Sequence, residues 1–257
     1  MAAKKPARAP ARAVDDDEAT FLARYDASKF YRPSVAVDVV LVTAVEGELA
    51  TLVTVRGEHP CKGCHALPGG FLREGEGLDE AAARQLATKV GLAGVYLEQL
   101  YTFGDVGRDP RTRVITVAYY ALVDAARFRK ATAGRDAVTA TVRVPWEGET
   151  GGPVELADRD GRPLRMAFDH DEIVGMAIKR IRGKLDYAPI GFQLLGDTFT
   201  LLELQRVHET VLGRPLNKDS FRRRMLASGQ LDATGRSQRG VDHRPAELYR
   251  FARRSAV

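Results

Sequence analysis

Leu67–Leu92 reads LPGGFLREGEGLDEAAARQLATKVGL, and this stretch decides the fold. A glycine-rich turn leads into Leu78–Val90, a helical stretch that Gly91 closes as a left-handed C-cap. The spacing is regular: Gly70, five residues, Glu76, seven residues, Arg84, then Leu86, Gly91 and Leu92. An amphipathic helix after a glycine-rich turn is common when taken alone. The same residue types held at these intervals over 23 positions are a stronger signal.

The segment resembles the Nudix box, a loop–helix–loop whose helix carries an Arg-Glu and a Glu-Glu pair. Its chemistry needs several carboxylates on one helix face, because they hold the divalent ions that polarise a diphosphate and activate water. Here the three helix glutamates of the motif are replaced by Gln85, Thr88 and Lys89. An amide, a hydroxyl and a cation cannot replace Mg²⁺ ligands. A lysine would repel the metal, by about 4 kcal/mol per unit-charge pair at about 4 Å and an effective dielectric near 20. Of the carboxylates only Glu76 remains, so the expectation is a Nudix-like scaffold with no catalytic residue and no metal. Arg84 suits a salt bridge to Glu76 as well as it suits a ligand.

Outward from the box, Val35–Thr43 (VAVDVVLVT) and Leu49–Val55 (LATLVTV) are β-branched runs joined at Glu46-Gly47, which predicts a hairpin. Val114–Val123 (VITVAYYALV) and Val138–Val144 (VTATVRV), stopped by Pro145, predict two more strands. Glu147–Arg165 predicts irregular chain with a small hairpin around Asp160-Gly161. Trp146 is assigned to the core. His170–Leu185 places Ile173, Ala177, Ile178 and Ile181 at helical spacing. Strands and helices in this order predict an α+β chain whose N-terminal part is an α/β/α sandwich rather than a doubly wound parallel sheet.

The domain boundary is placed near Leu185–Gly191. Beyond it, Thr200 and Glu203 form a capping box for a helix to Leu212, with Leu201, Leu204, Val207, Val211 and Leu212 on one face and Gly213 at its end. Asn217 caps a second helix running to Ser228. Gly229–Val241 and Leu248–Phe251 then suggest a basic hairpin. Helix, turn, basic helix and hairpin make the layout of a winged helix-turn-helix. On a helical wheel Phe221, Met225 and Leu226 face inward, while Ser220, Arg223, Arg224 and Ala227 face outward. Lys218 sits at the N-terminal turn, and Arg222 borders the apolar face, where a phosphate contact suits it best. Arg236, Gln238, Arg239 and Arg244 are the wing candidates for phosphates or a minor groove. Residues 197–257 hold 12 Lys and Arg against 7 Asp and Glu, net +5, while residues 1–196 hold 27 of each. The whole excess lies in the candidate DNA-binding part, as phosphate neutralisation would require.

The similarity runs past the box, over essentially the whole chain after residue 20. Phe21–Asp38 (FLARYDASKFYRPSVAVD), Ala66–Phe71 (ALPGGF) and Tyr101–Pro110 (YTFGDVGRDP) resemble the Nudix-related transcriptional regulators, the NrtR family. So do Leu164–His170 (LRMAFDH), the LLELQRVHETVLG helix, Leu216–Leu226 (LNKDSFRRRML) and His243–Phe251 (HRPAELYRF). His65 departs from the Trp usual before ALPGGF. The resemblance implies an ADP-ribose-type nucleotide effector, no further cofactor, a homodimer, double-stranded operator DNA, and repression of NAD biosynthesis or salvage genes. It also implies ligand contacts from Arg56, Gly69, Gly70, Glu76, Arg84, Phe103 and Arg108, with adenine stacked on an aromatic. Asp105 and Asp109 fit a turn.

The chain has 257 residues, 44% hydrophobic and 28% charged, with 2 cysteines. That composition suits a soluble protein with a real core, and no apolar run approaches the roughly 18 residues of a membrane span. Residues 1–20 suggest a disordered arm, basic over Met1–Ala13 and acidic at Asp15–Glu18; residues 21–187 are the expected effector domain and 188–257 the expected DNA-binding domain. Lacking an apolar signal segment and a disulfide framework, the sequence points to a reducing cytoplasm. Cys61-Lys62-Gly63-Cys64-His65 matches a haem-attachment pattern that needs export, and zinc on His59, Cys61, Cys64 and His65 lacks a second pair. A solvent-exposed loop with two thiols accounts for it better. A ligand-gated DNA-binding repressor explains the altered box, the charge asymmetry and the winged pattern together. An active Nudix hydrolase on ADP-ribose or a related nucleoside diphosphate derivative explains only the scaffold. A nucleotide-binding module without DNA leaves the basic helix unused.

Overall fold

The computed structural model describes residues 17–132, 137–240 and 245–252. The chain divides into one unit up to Arg32 and another from Pro33 onward. In the first, helix α1 (Glu18–Arg24) is capped by Asp17, whose carboxylate accepts from Thr20 N at 2.8 Å. Glu18–Thr20, expected in the disordered arm, are therefore helical; residues 1–16 of that arm lie outside the described residues.

The second unit is built on a mixed sheet. Strands β1 (Ser34–Val45) and β2 (Glu48–Val55) form the expected hairpin, with Glu46 and Gly47 at φ 53° and 84°, as a mirror-image turn requires. Two short strands pair onto them: β3 (His65–Ala66) on β2 and β4 (Gly69–Phe71) on β1. Helix α2 (Leu78–Gln85) follows, and the chain continues not as α-helix but as one π turn over Leu86–Val90 before Gly91 at φ 72°. Two strands come next. The first, β5 (Tyr96–Phe103), lies antiparallel to β6 (Val114–Leu122), and β6 runs parallel to β1. After α3 (Ala125–Thr132), strands β7 (Ala137–Arg143) and β8 (Glu155–Ala157) complete the order β5-β6-β1-β2-β7-β8.

Both faces of the sheet are covered, which is why β1 is a nearly continuous apolar run. Val37, Val39 and Leu41 meet Ala81, Ala82, Leu86 and Phe128 of the helices on one side. Val40 and Val42 meet Ile173, Ile178 and Ile181 of α4 (His170–Lys184) on the other. This is the expected sandwich. Asp160-Gly161 forms the small turn anticipated, closed by Asp158 N–H on Arg162 O at 2.9 Å. Trp146 is half-buried, packed against the edge of the core, and donates to Gly152 O and Pro153 O.

A 3-10 turn at Pro189–Leu194 leads to α5 (Leu201–Leu212), α6 (Lys218–Ala227), β9 (Leu231–Ser237) and β10 (Glu247–Phe251). The capping box is formed: Glu203 N donates to Thr200 Oγ1 at 3.1 Å and Thr200 N to the Glu203 carboxylate at 2.7 Å. Phe199 pairs with Tyr249 through a single antiparallel bridge beside the β9–β10 hairpin. Phe192, Phe199, Leu204, Phe221, Met225 and Tyr249 pack as a separate small core. Leu226, expected inward, is 45% exposed: it stands one residue past Met225, about 100° round the helix, beyond the buried stripe. The C-terminal module is a winged helix. Among the described residues no helix is long and apolar enough to cross a membrane.

Candidate functional site

Gly69 and Gly70 of the box are explained by close approach. A Cβ on Gly69 would stand 2.0 Å from Asp38 Oδ1, and one on Gly70 would stand 2.6 Å from the Gln85 amide. Strand β4 can lie against β1 and α2 only without those side chains. Together these elements make one wall of a cleft of about 680 Å³, which Arg56, Lys89, Arg108, Arg111, Phe168 and His170 also line.

Its lining sets cationic side chains beside buried carboxylates. The Arg108 guanidinium is held bidentately by Asp169 at 2.8 and 2.6 Å and lies 3.9 Å from Asp38. Asp38, buried in the middle of β1, accepts from Thr116 Oγ1 at 2.8 Å. Arg111 is paired with buried Asp109 at 2.7 Å. Arg56 stacks over Phe168, 4.8 Å from the ring centre, and donates to Pro60 O at 2.9 Å. Phe168 keeps that position at φ 56°, a left-handed conformation that a bulky residue rarely adopts. His170 opens α4 and accepts from Leu67 N at 2.9 Å through Nδ1, which places its proton on Nε2, 3.7 Å from Asp38. Burial pushes its pKa below the ordinary histidine value, so the ring is neutral.

The three altered box positions have new partners. Lys89 is exposed as a residue, while its ammonium lines the cleft and donates to Gly69 O. Burial lowers its pKa, with Asp38 opposing that shift. With its amide oriented to satisfy both neighbours, Gln85 donates to Gly69 O at 3.0 Å and accepts from Arg84 at 2.9 Å. Thr88 bonds back to Arg84 O at 2.8 Å. Among the described residues no three His, Cys, Asp or Glu side chains converge as metal ligands, and the Lys89 ammonium lies in the cleft beside Gly69. This donor set does not fit the divalent ions of a Nudix hydrolase.

Of the residues singled out in the sequence, Arg56, Gly69, Gly70 and Arg108 line the cleft. Glu76 and Arg84 instead pair with each other beside it, and Phe103 packs edge-on against Tyr101 at 5.4 Å, away from the lining. Asp38, Asp109, Arg111, Phe168, Asp169 and His170 were missed as site residues. A visible signal existed for Asp38: a lone charge inside VAVDVV is costly to bury unless it has work to do. Cys61 and Cys64 are not on an exposed loop: Cys64 is 4% exposed and Cys61 half-buried.

On α6, Lys218, Ser220, Arg222 and Arg223 are exposed, and Asn217 caps the helix by accepting from Ser220 N at 2.9 Å. Lys218, Arg222 and Gln238 share a groove between α6 and the hairpin. Arg236 and Arg239 are exposed on the wing; Arg244 lies outside the described residues. Arg224 is exposed on the expected outward face and pairs at 3.1 Å with Asp186 just after α4.

Residues 32–147 match the family model of the NUDIX domain, and residues 191–251 that of the NrtR DNA-binding winged helix domain. The ADPR responsive transcriptional repressor NtrR of Acinetobacter baylyi is 34% identical over 237 residues, 91% of this chain and 88% of that protein. The ADP-ribose pyrophosphatase of Methanocaldococcus jannaschii is 32% identical over 145 residues, 56% of this chain and 73% of that protein. The crystal structure of Shewanella oneidensis NrtR complexed with a 27mer DNA superposes with a TM-score of 0.70 at 32% identity, covering 85% of this chain and 93% of that one. With both modules matched in order and a relative spanning most of its length, the chain belongs to the NrtR family of Nudix-related transcriptional regulators.

Proposed function

We propose that this chain represses NAD-metabolism genes as a homodimer on double-stranded operator DNA, and that an ADP-ribose-type nucleotide in the Nudix cleft controls it. The supporting observation is the cleft itself. Arg56 and Lys89 are hydrogen-bonded to carbonyl oxygens, which do not cancel their charge, and both face a cavity large enough for a dinucleotide fragment. Phe168 offers a ring face in the same cleft.

Residues 21–187 are assigned to effector binding and 188–257 to DNA. Helix α4 joins the two: its first residue, His170, lines the cleft, and near its end Arg182 donates to Val211 O at 2.8 Å in α5. A nucleotide that favours one orientation of α4 would shift DNA affinity by a coupling of about 1–3 kcal/mol, the usual range for such linkage. Lys218, Ser220, Arg222 and Arg223 are assigned to the groove face, with Arg236, Gln238 and Arg239 on the wing.

Hydrolysis is not assigned, because Gln85, Thr88 and Lys89 occupy the ligand positions. Incubation with ADP-ribose and Mg²⁺ or Mn²⁺ tests this; no turnover is expected, and a rate above about one per second would restore the hydrolase reading. Calorimetry with ADP-ribose tests the cleft. Binding at micromolar to submillimolar concentration is expected, and no binding of any NAD-related nucleotide would remove the reading.

A further inference from the structure

Cys61 and Cys64 are the chain's two cysteines, and the repressor reading leaves them unused. Cys64 N donates to Cys61 O at 3.0 Å, closing a four-residue turn. Such a turn holds its end Cα atoms within about 7 Å, against the roughly 4.4–6.8 Å that a disulfide spans. Both side chains also share one small apolar cluster: Cys61 and Phe168 pack against buried Cys64, Ala66 and Ala167.

That cluster is the back of the cleft wall. Arg56 N donates to Cys64 O and Gly63 N to Arg56 O, each at 2.9 Å. The guanidinium of Arg56 lies over Phe168. One loop thus carries the thiol pair and fixes two cleft-lining groups, the cation and its aromatic platform.

We infer that Cys61 and Cys64 are a redox-responsive dithiol, closed to a disulfide by a peroxide, and that closure weakens nucleotide binding in the adjoining cleft; this second clause rests on the proposed function. The half-buried Cys61 reacts first. Its thiolate attacks one peroxide oxygen and the O–O bond breaks; the hydroxide that leaves takes up the proton the thiol had given up, so the products are a sulfenic acid and water. The Cys64 sulfur then displaces the sulfenic hydroxyl, which leaves with the Cys64 proton as a second water. Two sulfurs are oxidised and one peroxide is reduced. Bonding draws the sulfurs together and out of the packing they share with Phe168, so the platform under Arg56 is disturbed. Cytoplasmic disulfides are usually transient ones of this sensing kind.

The test uses the full chain, reduced or treated with one equivalent of hydrogen peroxide, read by intact mass and by calorimetry with ADP-ribose. Oxidised protein is expected to lose two hydrogens without cross-linking to a second chain. Its Kd for ADP-ribose should rise about threefold or more and recover on reduction with dithiothreitol. Cys61→Ser, at the half-buried position, should keep the reduced affinity under peroxide, and Cys64→Ala should do the same by an independent route. Unchanged mass, a cross-linked dimer, or equal affinity in both states overturns the inference. Failure of reduced protein to bind ADP-ribose instead strikes the proposed function, while the mass measurement still decides whether the pair closes.

Discussion

Arg84 grips Glu76 through two hydrogen bonds, at 2.5 and 2.7 Å, and so takes up the remaining glutamate of the altered box. The same guanidinium donates to Phe71 O at 3.2 Å. The pair therefore ties α2 to the end of β4 and the loop after it.

The consequence is acid sensitivity. The Arg84 hydrogen bonds hold the Glu76 pKa down at about 2, against an ordinary 4.5. A depressed carboxylate contributes stability that is fully present above about 4.5 and is lost as pH falls toward about 2. Glu76→Gln is expected to lower stability near neutrality and to flatten that part of the acid-unfolding curve, so that variant and wild type converge as the pH falls toward about 2. Superimposable acid limbs for wild type and variant would contradict the assignment.

A second prediction concerns Arg182, which is 6% exposed and donates to Val211 O, Trp146 O and Gly148 O at 2.8, 3.1 and 3.2 Å. Truncation to methionine leaves those carbonyls without their donor, at about 1–3 kcal/mol for each buried one. Urea unfolding should show a loss of at least about 2 kcal/mol. Since the contact joins α4 to α5, the effect of ADP-ribose on DNA affinity should shrink as well. A variant as stable as wild type and equally responsive would show that Arg182 is not the tie.

The fold was largely legible because strong local signals agreed with it. The box spacing, the Glu46-Gly47 turn and the Thr200–Glu203 capping box each describe contacts within a few residues. Strand β5 was not legible: Glu98 and Gln99 break its apolar pattern, and the register shifts between Gln99 and Tyr101. Nor was the π turn, since Leu86–Val90 keeps helical spacing while changing its hydrogen bonds. The cleft was half legible. Arg56, Gly69, Gly70 and Arg108 follow from resemblance, but His170 reaches Leu67 across 103 residues, and no local pattern encodes that meeting. Leu226 was misplaced because a wheel gives direction without saying where the buried stripe ends.

His208 gives a third prediction. Burial holds its pKa down at about 4 against 6.5, helped by Arg224 and opposed by Asp186. The folded state disfavours the charged ring, so stability is full above about 6.5 and falls as the pH drops toward about 4. The loss at the acid end is about 3 kcal/mol. Denaturant unfolding at pH 7.5 and pH 5 should show it, and His208→Gln should be less pH-dependent across that interval. A wild type equally stable at both pH values would be inconsistent with a neutral buried ring.

The DNA face yields a fourth. If Arg223 reads a base, Arg223→Ala should cost about 1–3 kcal/mol and relax specificity at one position. On the wing, Arg239→Ala should weaken all sequences alike and flatten the salt dependence, as the loss of a phosphate contact does. Arg224→Ala should have the smaller effect on sequence preference, because Arg224 is turned toward Asp186. Operator titrations at several salt concentrations decide the order; equal behaviour of all three variants and wild type would displace the proposed surface.

The central claim is that nucleotide in the cleft and DNA on the winged helix are linked. It is tested most directly by fluorescence anisotropy of the full chain with duplexes from promoters of NAD-metabolism genes, with and without saturating ADP-ribose. A palindrome with half-sites about 34 Å apart, or a multiple of that spacing, is the expected target of a two-fold dimer. ADP-ribose should change the operator Kd by about 5- to 150-fold and unrelated DNA much less. An operator affinity that is unchanged when calorimetry shows the cleft filled would contradict the account.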